Sequence, residues 1–306
     1  MEQAASSLML CGKTVDSTHR RRLLYDRWGR YLFIATASLL TLIIFFIIFF
    51  VGHQGLQTFA EVSPWEFFLS PKWDPLAHKF GAASFILGTI VSTLLAVAIS
   101  IPLGVLGALF MAKVAPTALG HIMRSAVDLY VAIPSVVYGY FGLMLLVPFI
   151  REVFGTGNGF CILTASLVLS VMILPTIISI STDAFQGVAH DLEEASLALG
   201  ATRWQTLYHV VLPAARPGVL TGIVLAMARA VGETMAVQML IGNTPQLLSS
   251  LLTSTATLAS NIVVEMGNTP AGSAWSNALF LMAFVLLLMS MGMILLIRRF
   301  GRQEAT

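Results

Sequence analysis

Six apolar windows, each about as long as a membrane-spanning helix, dominate this sequence. They cover residues 32–51, 84–111, 129–150, 161–182, 217–242 and 276–297. A bilayer core needs about 20 apolar residues of helix, because it holds no water to satisfy exposed backbone groups. The chain is 57% hydrophobic and only 10% charged, whereas soluble domains carry about 25% charged residues. The sequence therefore predicts an all-α polytopic membrane protein with six transmembrane helices, and it excludes a soluble enzyme.

The distribution of Lys and Arg predicts the orientation of these helices. Basic residues concentrate in residues 1–31, in the connections after the second and fourth spans, and in residues 298–306. The opposite connections hold far fewer, namely Lys72, Lys79 and Arg151. Because basic segments next to a span stay in the cytoplasm, we expect both termini there. The predicted organisation is a cytoplasmic arm (1–31), a six-span membrane domain (32–297) and a cytoplasmic tail (298–306).

Two segments on the predicted outer side leave their roles open. Residues 52–83 contain Trp65 and Trp73, and aromatic residues of this kind are typical of the membrane interface. This segment is either a simple linker or a contact surface for an external partner. Glu265, in a later outer connection, is expected to face water, and contact with an external protein is the alternative.

No residue pattern in the sequence provides a metal or nucleotide site. Cys11 and Cys161 lie far apart, and none of the six histidines lies deep in a predicted span. A net charge of +2 is too small to indicate nucleic-acid binding. We therefore expect no cofactor in this chain and no nucleic-acid partner, with membrane lipid as its surroundings.

The longest predicted inner connection, residues 183–216, is expected to contain two short helices. The first is predicted at 190–200, because acidic residues occupy its first turn and its last residue is a glycine, which suits a left-handed helix end. The second is predicted at 201–211 and is delimited by Pro213 and Pro217. On composition alone, the connection fits equally well an amphipathic segment that lies on the membrane surface.

Two opposite charges fall inside the predicted fifth span. Arg229 lies near the middle of the window and Glu233 follows four residues later, which on a continuous helix places both on one face. A charge at the centre of a membrane helix costs about 2.5 to 3.5 kcal/mol, so such residues face a cavity or one another. The pair is either an ion pair that locks helix packing or an anion-coordinating arginine whose grip is weakened by Glu233.

The inner connection resembles the coupling loop of ABC importer permeases. The spacing E-A-A-x3-G-x9-I-x-L-P of that loop is present here, with serine for the second alanine and valine for the isoleucine. The matching residues are Glu194, Ala195, Ser196, Gly200, Val210, Leu212 and Pro213. The resemblance implies that a separate ATPase subunit binds here and that these residues, with Glu193, pass its motion to the membrane helices. It also implies that ATP and Mg²⁺ bind to the partner subunits, so that this chain is not itself an enzyme.

Two further regions resemble the PstC-type permease of the bacterial phosphate ABC importer. They are residues 228–237 (ARAVGETMAV), continued by 241–244 (IGNT), and residues 132–139 (AIPSVVYG). The resemblance implies a type I importer permease of the bacterial inner membrane that carries inorganic phosphate. It also implies that Arg229 and Glu233 act in phosphate passage.

The region 132–139 also contains polar groups within the predicted third span. Ser135 and Tyr138 offer hydroxyl donors to a phosphate. Alternatively, Pro134 only kinks the helix and Gly139 only allows a close helix contact.

The partners and the competing functions follow from the same resemblance. It implies a PstA-type second permease, two PstB-type ATPase subunits and a PstS-type external phosphate-binding protein. Three alternatives stay open at this point. The chain transports another oxyanion such as sulfate, molybdate or tungstate; it is a passive anion channel or an ion-coupled carrier; or it is a membrane scaffold or sensor in which Arg229 and Glu233 only pack.

Overall fold

The computed structural model describes the backbone of residues 2–155 and 157–303, with side chains for 28–155, 157–295 and 299. Within these residues, six helices are long and apolar enough to cross a membrane, which confirms the predicted number. They are Trp28–Ala60, Ala83–Val114, Ser135–Phe154, Ile162–Gln186, Arg203–Gly232 and Ala274–Leu295. The predicted arm (1–31) and tail (298–306) lie largely outside the described side chains, and these boundaries stay predictions.

The chain forms two compact units, residues 1–53 and residues 54–306. The first unit consists of most of helix α1 (Glu2–Leu56). Phenylalanine rings stack one helical turn apart along it, with ring centroids 6.4 Å apart for Phe45 and Phe49 and 6.5 Å apart for Phe46 and Phe50. The side chains of the apolar stretch of α1 are mostly exposed, as expected for a membrane-spanning helix that is surrounded by lipid.

The second unit carries the remaining elements. Its first half comprises α2 (Pro64–Leu69), the strands β1 (Trp73–Asp74) and β2 (Lys79–Phe80), α3 (Ala83–Leu109), α4 (Thr117–Val131), α5 (Ser135–Phe141) and α6 (Val147–Phe154). Its second half comprises α7 (Ile162–Gln186), α8 (His190–Ala198), α9 (Arg203–Thr206), α10 (Leu212–Gly232), α11 (Met235–Leu240), α12 (Leu258–Met266) and α13 (Ala274–Gln303). Three π-helical turns extend or join these helices. One follows α3 (Phe110–Val114), one joins α5 to α6 (Gly142–Leu146) and one joins α9 to α10 (Leu207–Val211).

The centre of the second unit is the packing of α3, α7 and α10. Small residues allow these helices to approach closely. A Cβ added at Gly104 of α3 would lie 2.7 Å from Ile177 of α7, and one at Gly218 of α10 would lie 2.4 Å from the Cβ of Ala184. Gly222, one turn after Gly218, also faces α7. Close backbone approach of this kind is a main source of helix association in lipid, where apolar burial contributes little.

The segment between the first two spans is folded rather than a simple linker. β1 and β2 pair as an antiparallel hairpin with Trp73 opposite Phe80. Phe67 of α2, Phe80 and Phe85 are fully buried, in one hydrophobic cluster with Leu258 of α12 and residues of α13. The linker interpretation is therefore wrong, because this segment contributes aromatic side chains to a core shared with α3, α12 and α13.

Two predicted spans differ from the observed helices. The window 129–150 contains a break, since α4 ends at Val131 and α5 begins only after Pro134. In the fifth span, α9, the π-helical turn and α10 run on as one stretch from Arg203 to Gly232, so the expectation that prolines delimit a separate helix is wrong. Pro213 lies in the first turn of α10, where its missing N–H is tolerated, and Pro217 lies inside α10.

Candidate functional site

Arg229 lies in the last turn of α10, whereas the sequence predicted a position near the middle of a span. Its side chain is half-buried. Within the part of the chain that the structure describes, it makes no ion pair or hydrogen bond. The exposed carbonyls at a helix C-terminus carry a partial negative charge that stabilises a cation there. The helix end thus helps to tolerate a guanidinium whose N–H donors are left without a carboxylate.

Glu233 does not pair with Arg229, which corrects the prediction of two charges on one continuous helix. α10 ends at Gly232, and Glu233 has extended backbone angles (φ −71°, ψ 123°). Its Oε1 accepts a hydrogen bond from the backbone N–H of Ala236 at 3.3 Å, in the first turn of α11. The four-residue spacing therefore does not correspond to one helical turn. Glu233 instead stabilises the start of the next helix.

Tyr138 is brought next to this break by the packing of α5 on α11. A Cβ added at Gly139 would lie 3.0 Å from the Cα of Ala236, so the two short helices touch at backbone distance. The Tyr138 hydroxyl donates a hydrogen bond to the carbonyl of Tyr130 at 2.7 Å. The Tyr138 proton is thus already used within the chain, which leaves its oxygen as an acceptor and not the free donor that was predicted.

Ser135, the other predicted donor, is the first residue of α5 and is half-buried. It lies one helical turn before Tyr138, which places both on the same side of α5. The structure therefore gathers Arg229, Glu233 and Tyr138 around the break between α10 and α11, with Ser135 one turn away along α5. Non-helical backbone of this kind occurs at membrane depth only where protein surrounds it or where it lines a water-filled cavity.

An apolar cleft of about 530 Å³ opens beside Tyr138. Its other lining residues come from the end of α4, from α5 and the turns on either side of it, and from α7, and they include Tyr130, Phe141, Leu167 and Val171. Arg229 does not line it. The lining is aromatic and aliphatic and offers no cationic side chain to a phosphate.

The coupling loop has the predicted helix and turn. α8 covers His190–Ala198, and Gly200 adopts φ +89°, the left-handed conformation expected from its position after a helix. The face of α8 that includes Glu194 and Ala195 is exposed, and Leu199 is 90% exposed. Glu194 contacts His190 at 3.1 Å, and both side chains are largely in solvent. α8 therefore presents an open surface on which another subunit could seat.

Glu193 points to the opposite side of α8 from this open surface. Its carboxylate pairs with Lys113 in the turn that follows α3, and the exposed fractions of the two side chains are 19% and 14%. Ser196 hydrogen-bonds to Thr206 of α9 at 3.0 Å. Of the remaining residues of the coupling pattern, Val210 lies in the π-helical turn before α10, and Leu212 and Pro213 are the first two residues of α10. The pattern thus includes both exposed residues and residues that attach α8 to the membrane helices.

Glu265 does not face water, in contrast to the prediction. Its carboxylate accepts hydrogen bonds from the indole nitrogen of Trp73 at 2.8 Å and from that of Trp275 at 2.7 Å. Burial raises the pKa of Glu265, while the two indole N–H donors act in the opposite direction. Sequence reasoning missed this contact because its three residues come from β1, α12 and α13.

A family profile described as "Binding-protein-dependent transport system inner membrane component" matches residues 100–303, which is more than half of the chain. The matched region begins within α3 and contains both the break after α10 and the coupling loop.

Curated relatives match over nearly the whole chain. The "Probable ABC transporter permease protein YqgH" of Bacillus subtilis is 46% identical over 294 residues, which are 95% of each chain. The "Phosphate transport system permease protein PstC" of Xylella fastidiosa is 36% identical over 276 residues, which are 83% of each chain.

The fold is also that of solved importer permeases. A chain from the "Crystal structure of a bacterial ABC transporter involved in the import of the acidic polysaccharide alginate" superposes with a TM-score of 0.60, over 92% of this chain and 99% of that one. At 17% sequence identity, this likeness concerns the fold alone. The profile, the relatives and the type I importer fold agree, and the chain belongs to the family of binding-protein-dependent transport system inner membrane components, as a multi-pass permease of the PstC type.

Proposed function

We propose that this chain is the permease subunit of an ATP-driven importer of inorganic phosphate and forms half of the translocation pathway. Support comes from the relatives, several of which are named phosphate transport system permeases. Support also comes from the break after α10, which places a guanidinium beside non-helical backbone within the membrane domain. Interrupted helices in the spans of transporters commonly form substrate sites.

One observation supports anion transport above all. Arg229 is half-buried and, among the described residues, has no carboxylate within ion-pair distance. A guanidinium stays protonated at any physiological pH, and its planar donors match two oxygens of a phosphate at once. An arginine in this state has its full charge and its N–H donors available for a passing anion.

Glu233 takes a different part in this proposal from the one that the sequence indicated. It holds the start of α11 through the N–H of Ala236, and so fixes the geometry of the break beside Arg229. The affinity of Arg229 for phosphate is moderated by the partial negative charge of the helix end. Moderate affinity suits transport, because a site that holds its substrate too tightly does not release it.

The proposed importer contains further subunits. A second, PstA-type permease completes the anion site and covers the apolar cleft beside Tyr138. Two PstB-type ATPase subunits bind ATP and Mg²⁺, and one of them seats on the open surface of α8. A PstS-type protein delivers phosphate to the outer side. In this arrangement both termini are cytoplasmic, and alternating access results when the ATPase subunits move α8 and, with it, the membrane helices.

The proposal is tested by uptake of radiolabelled phosphate at low external concentration, in cells that supply the partner subunits. The parent chain is compared with Arg229→Gln, Arg229→Lys and Arg151→Gln at matched abundance. Loss of the charge is expected to lower uptake about a hundredfold, because one partner of a desolvated ionic contact is removed. Lysine keeps the charge without the planar fork and is expected to raise the KM for phosphate about tenfold. Arg151, exposed in the last turn of α6, is the matched control and is expected to leave uptake unchanged.

Three results would contradict the proposal. Uptake of sulfate or molybdate instead of phosphate by an assembled parent complex would assign another oxyanion. Uptake without ATP in vesicles that contain only this chain would indicate a channel or carrier. Equal uptake by the parent and Arg229→Gln would reduce Arg229 to a packing residue.

A further inference from the structure

The turn after α3 is attached to the coupling loop by a single charged side chain. Lys113 lies in the π-helical turn Phe110–Val114, and its Nζ donates to Oε1 of Glu193 in the first turn of α8. With exposed fractions of 14% and 19%, the two side chains are largely shielded from water. An ion pair in such surroundings is screened by salt far less than one on the surface. Loss of either partner leaves the other charge shielded from water and unpaired, which is costly.

The ion pair crosses a cleft and is not part of a packed interface. Lys113 and Glu193 both line a cavity of about 380 Å³, which also borders Arg203 and Trp204 of α9. α8 itself contains no buried residue. Its contact with α9 includes the hydrogen bond between Ser196 and Thr206. Because apolar packing of α8 is sparse, the Lys113 contact determines how closely α8 follows the end of α3.

α3 runs from this ion pair to the opposite end of the unit. There, a Cβ added at Gly88 would lie 2.3 Å from the carbonyl oxygen of Ala256, and the backbone N–H of Leu258 donates to the Thr89 hydroxyl at 3.0 Å. The segment at Ala256 and Leu258 follows α11 and leads into α12. A displacement of α3 along its axis therefore acts directly on the chain that follows the break.

We propose that Lys113 is a positioning residue that, through Glu193, couples the movement of α8 to α3 and from there to the outer segment at Ala256–Leu258. The inference rests on the proposed function, because it takes α8 to be the element that the ATPase subunits move. It adds a second route to the direct one, in which α8 and α9 move α10. The two adjacent carboxylates then have different roles. Glu194 is exposed toward a partner subunit, whereas Glu193 attaches α8 to the end of α3 through Lys113.

The chain also offers a matched control for this ion pair. Arg124 of α4 pairs with Asp183 of α7 at 2.8 Å on the same side of the unit. Its side chains are 40% and 57% exposed, and the pair does not involve α8. If any ion pair near the coupling loop mattered equally, removal of either would have the same consequence.

The test uses the complete transporter in proteoliposomes, with the external binding protein and ATP, and measures phosphate uptake and ATP hydrolysis in the same sample. Its readout is the amount of phosphate transported per ATP hydrolysed, for the parent, Lys113→Met, Lys113→Arg, the exchanged pair Lys113→Glu with Glu193→Lys, and Arg124→Met. Lys113→Met is expected to lower this ratio about fivefold, within the range of coupling mutations. Lys113→Arg and the exchanged pair are expected to recover most of the loss, because both restore an ion pair across the cleft. Arg124→Met is expected to change the ratio by less than about twofold, as for an exposed pair.

The outcomes separate this inference from the proposed function. If Lys113→Met does not assemble, the exchanged pair decides, since it keeps both charges within the cleft. An unchanged ratio in Lys113→Met, or an exchanged pair no better than Lys113→Met, would overturn the positioning role while phosphate transport stands. If the parent takes up sulfate or molybdate instead, the phosphate assignment fails, and the same ratio measured with that oxyanion still decides the role of Lys113.

Discussion

The two helix ends beside the candidate site residues, those of α8 and α10, are built differently. After α8, the reversal is made by Gly200 in a left-handed conformation, and the carboxylates nearby are paired, Glu193 with Lys113 and Glu194 with His190. After α10, the break is made by extended backbone at Glu233, whose side chain accepts a backbone N–H of α11. Here the neighbouring cation, Arg229, has no carboxylate partner among the described residues.

The difference matches the roles that we propose for the two charges. A charge that holds two helices together works best with a fixed partner, because an unpaired buried charge is costly. A charge that binds a passing anion has to keep its hydrogen-bond donors available, so a permanent carboxylate partner would compete with the substrate. The C-terminus of α10 instead places a partial negative charge near Arg229. This charge stabilises the guanidinium and leaves its N–H donors free of a carboxylate.

Among variants that leave Arg229 unchanged, the largest expected effect concerns the turn at Gly200. Gly200→Arg is expected to lower phosphate uptake more than about tenfold, because a side chain at φ +89° strains the turn between α8 and α9. Open space surrounds this position, so the backbone and not a clash is the cause. Gly200→Asn is the control, since asparagine tolerates the left-handed region and is expected to retain most of the uptake. Uptake, membrane abundance and ATPase co-purification are measured together. Normal uptake by Gly200→Arg would show that this turn does not transmit motion.

A smaller effect distinguishes the two interpretations of Glu233. If Glu233 stabilises the start of α11, Glu233→Gln keeps an acceptor oxygen and is expected to lower uptake by less than about twofold, whereas Glu233→Ala loses about fivefold, comparable to the loss of a helix cap. If Glu233 were the counter-ion of Arg229, glutamine and alanine would be equally harmful. Phosphate uptake kinetics of both variants decide this, and equal loss would restore the ion-pair interpretation.

The smallest expected effect concerns Glu265, a carboxylate held by neutral donors instead of a cation. Because burial raises its pKa, the folded protein binds this proton more tightly than the unfolded chain does. As the pH falls from 7 through the raised pKa, the parent is expected to gain stability relative to Glu265→Gln, and the gain is complete below the ordinary value of 4.5. The Tm of the two purified proteins should shift relative to each other by less than about 3 °C. A difference that stays constant between pH 7 and pH 4.5 would contradict this.

Features that depend on a short stretch of sequence were predictable. The six spans follow from 20-residue windows, because the cost of leaving backbone groups unsatisfied in lipid is imposed on each span separately. The same holds for α8 and its glycine, where three or four neighbouring residues specify the helix end. The spacing that resembles the coupling loop likewise lies within one short segment.

The pairing of charges was not predictable in the same way. Arg229 and Glu233 are four residues apart and do not pair, whereas Lys113 and Glu193 are 80 residues apart and do. Trp73 and Glu265 are 192 residues apart. Helix periodicity predicted the wrong partner for Arg229 because it assumes a continuous helix. In the structure α10 ends at Gly232, and the separate helix α11 packs on α5.

The sequence by itself thus determined that the chain spans a membrane, how many helices cross it, and where α8 and its terminal glycine lie. Each of these depends on local composition or on a short motif. The tertiary structure decided which of the described charges are paired and that Arg229 has no carboxylate partner among them, because a charge in a membrane protein takes its partner from whichever helix lies beside it. That neighbour is determined by packing across the whole unit and not by distance along the chain.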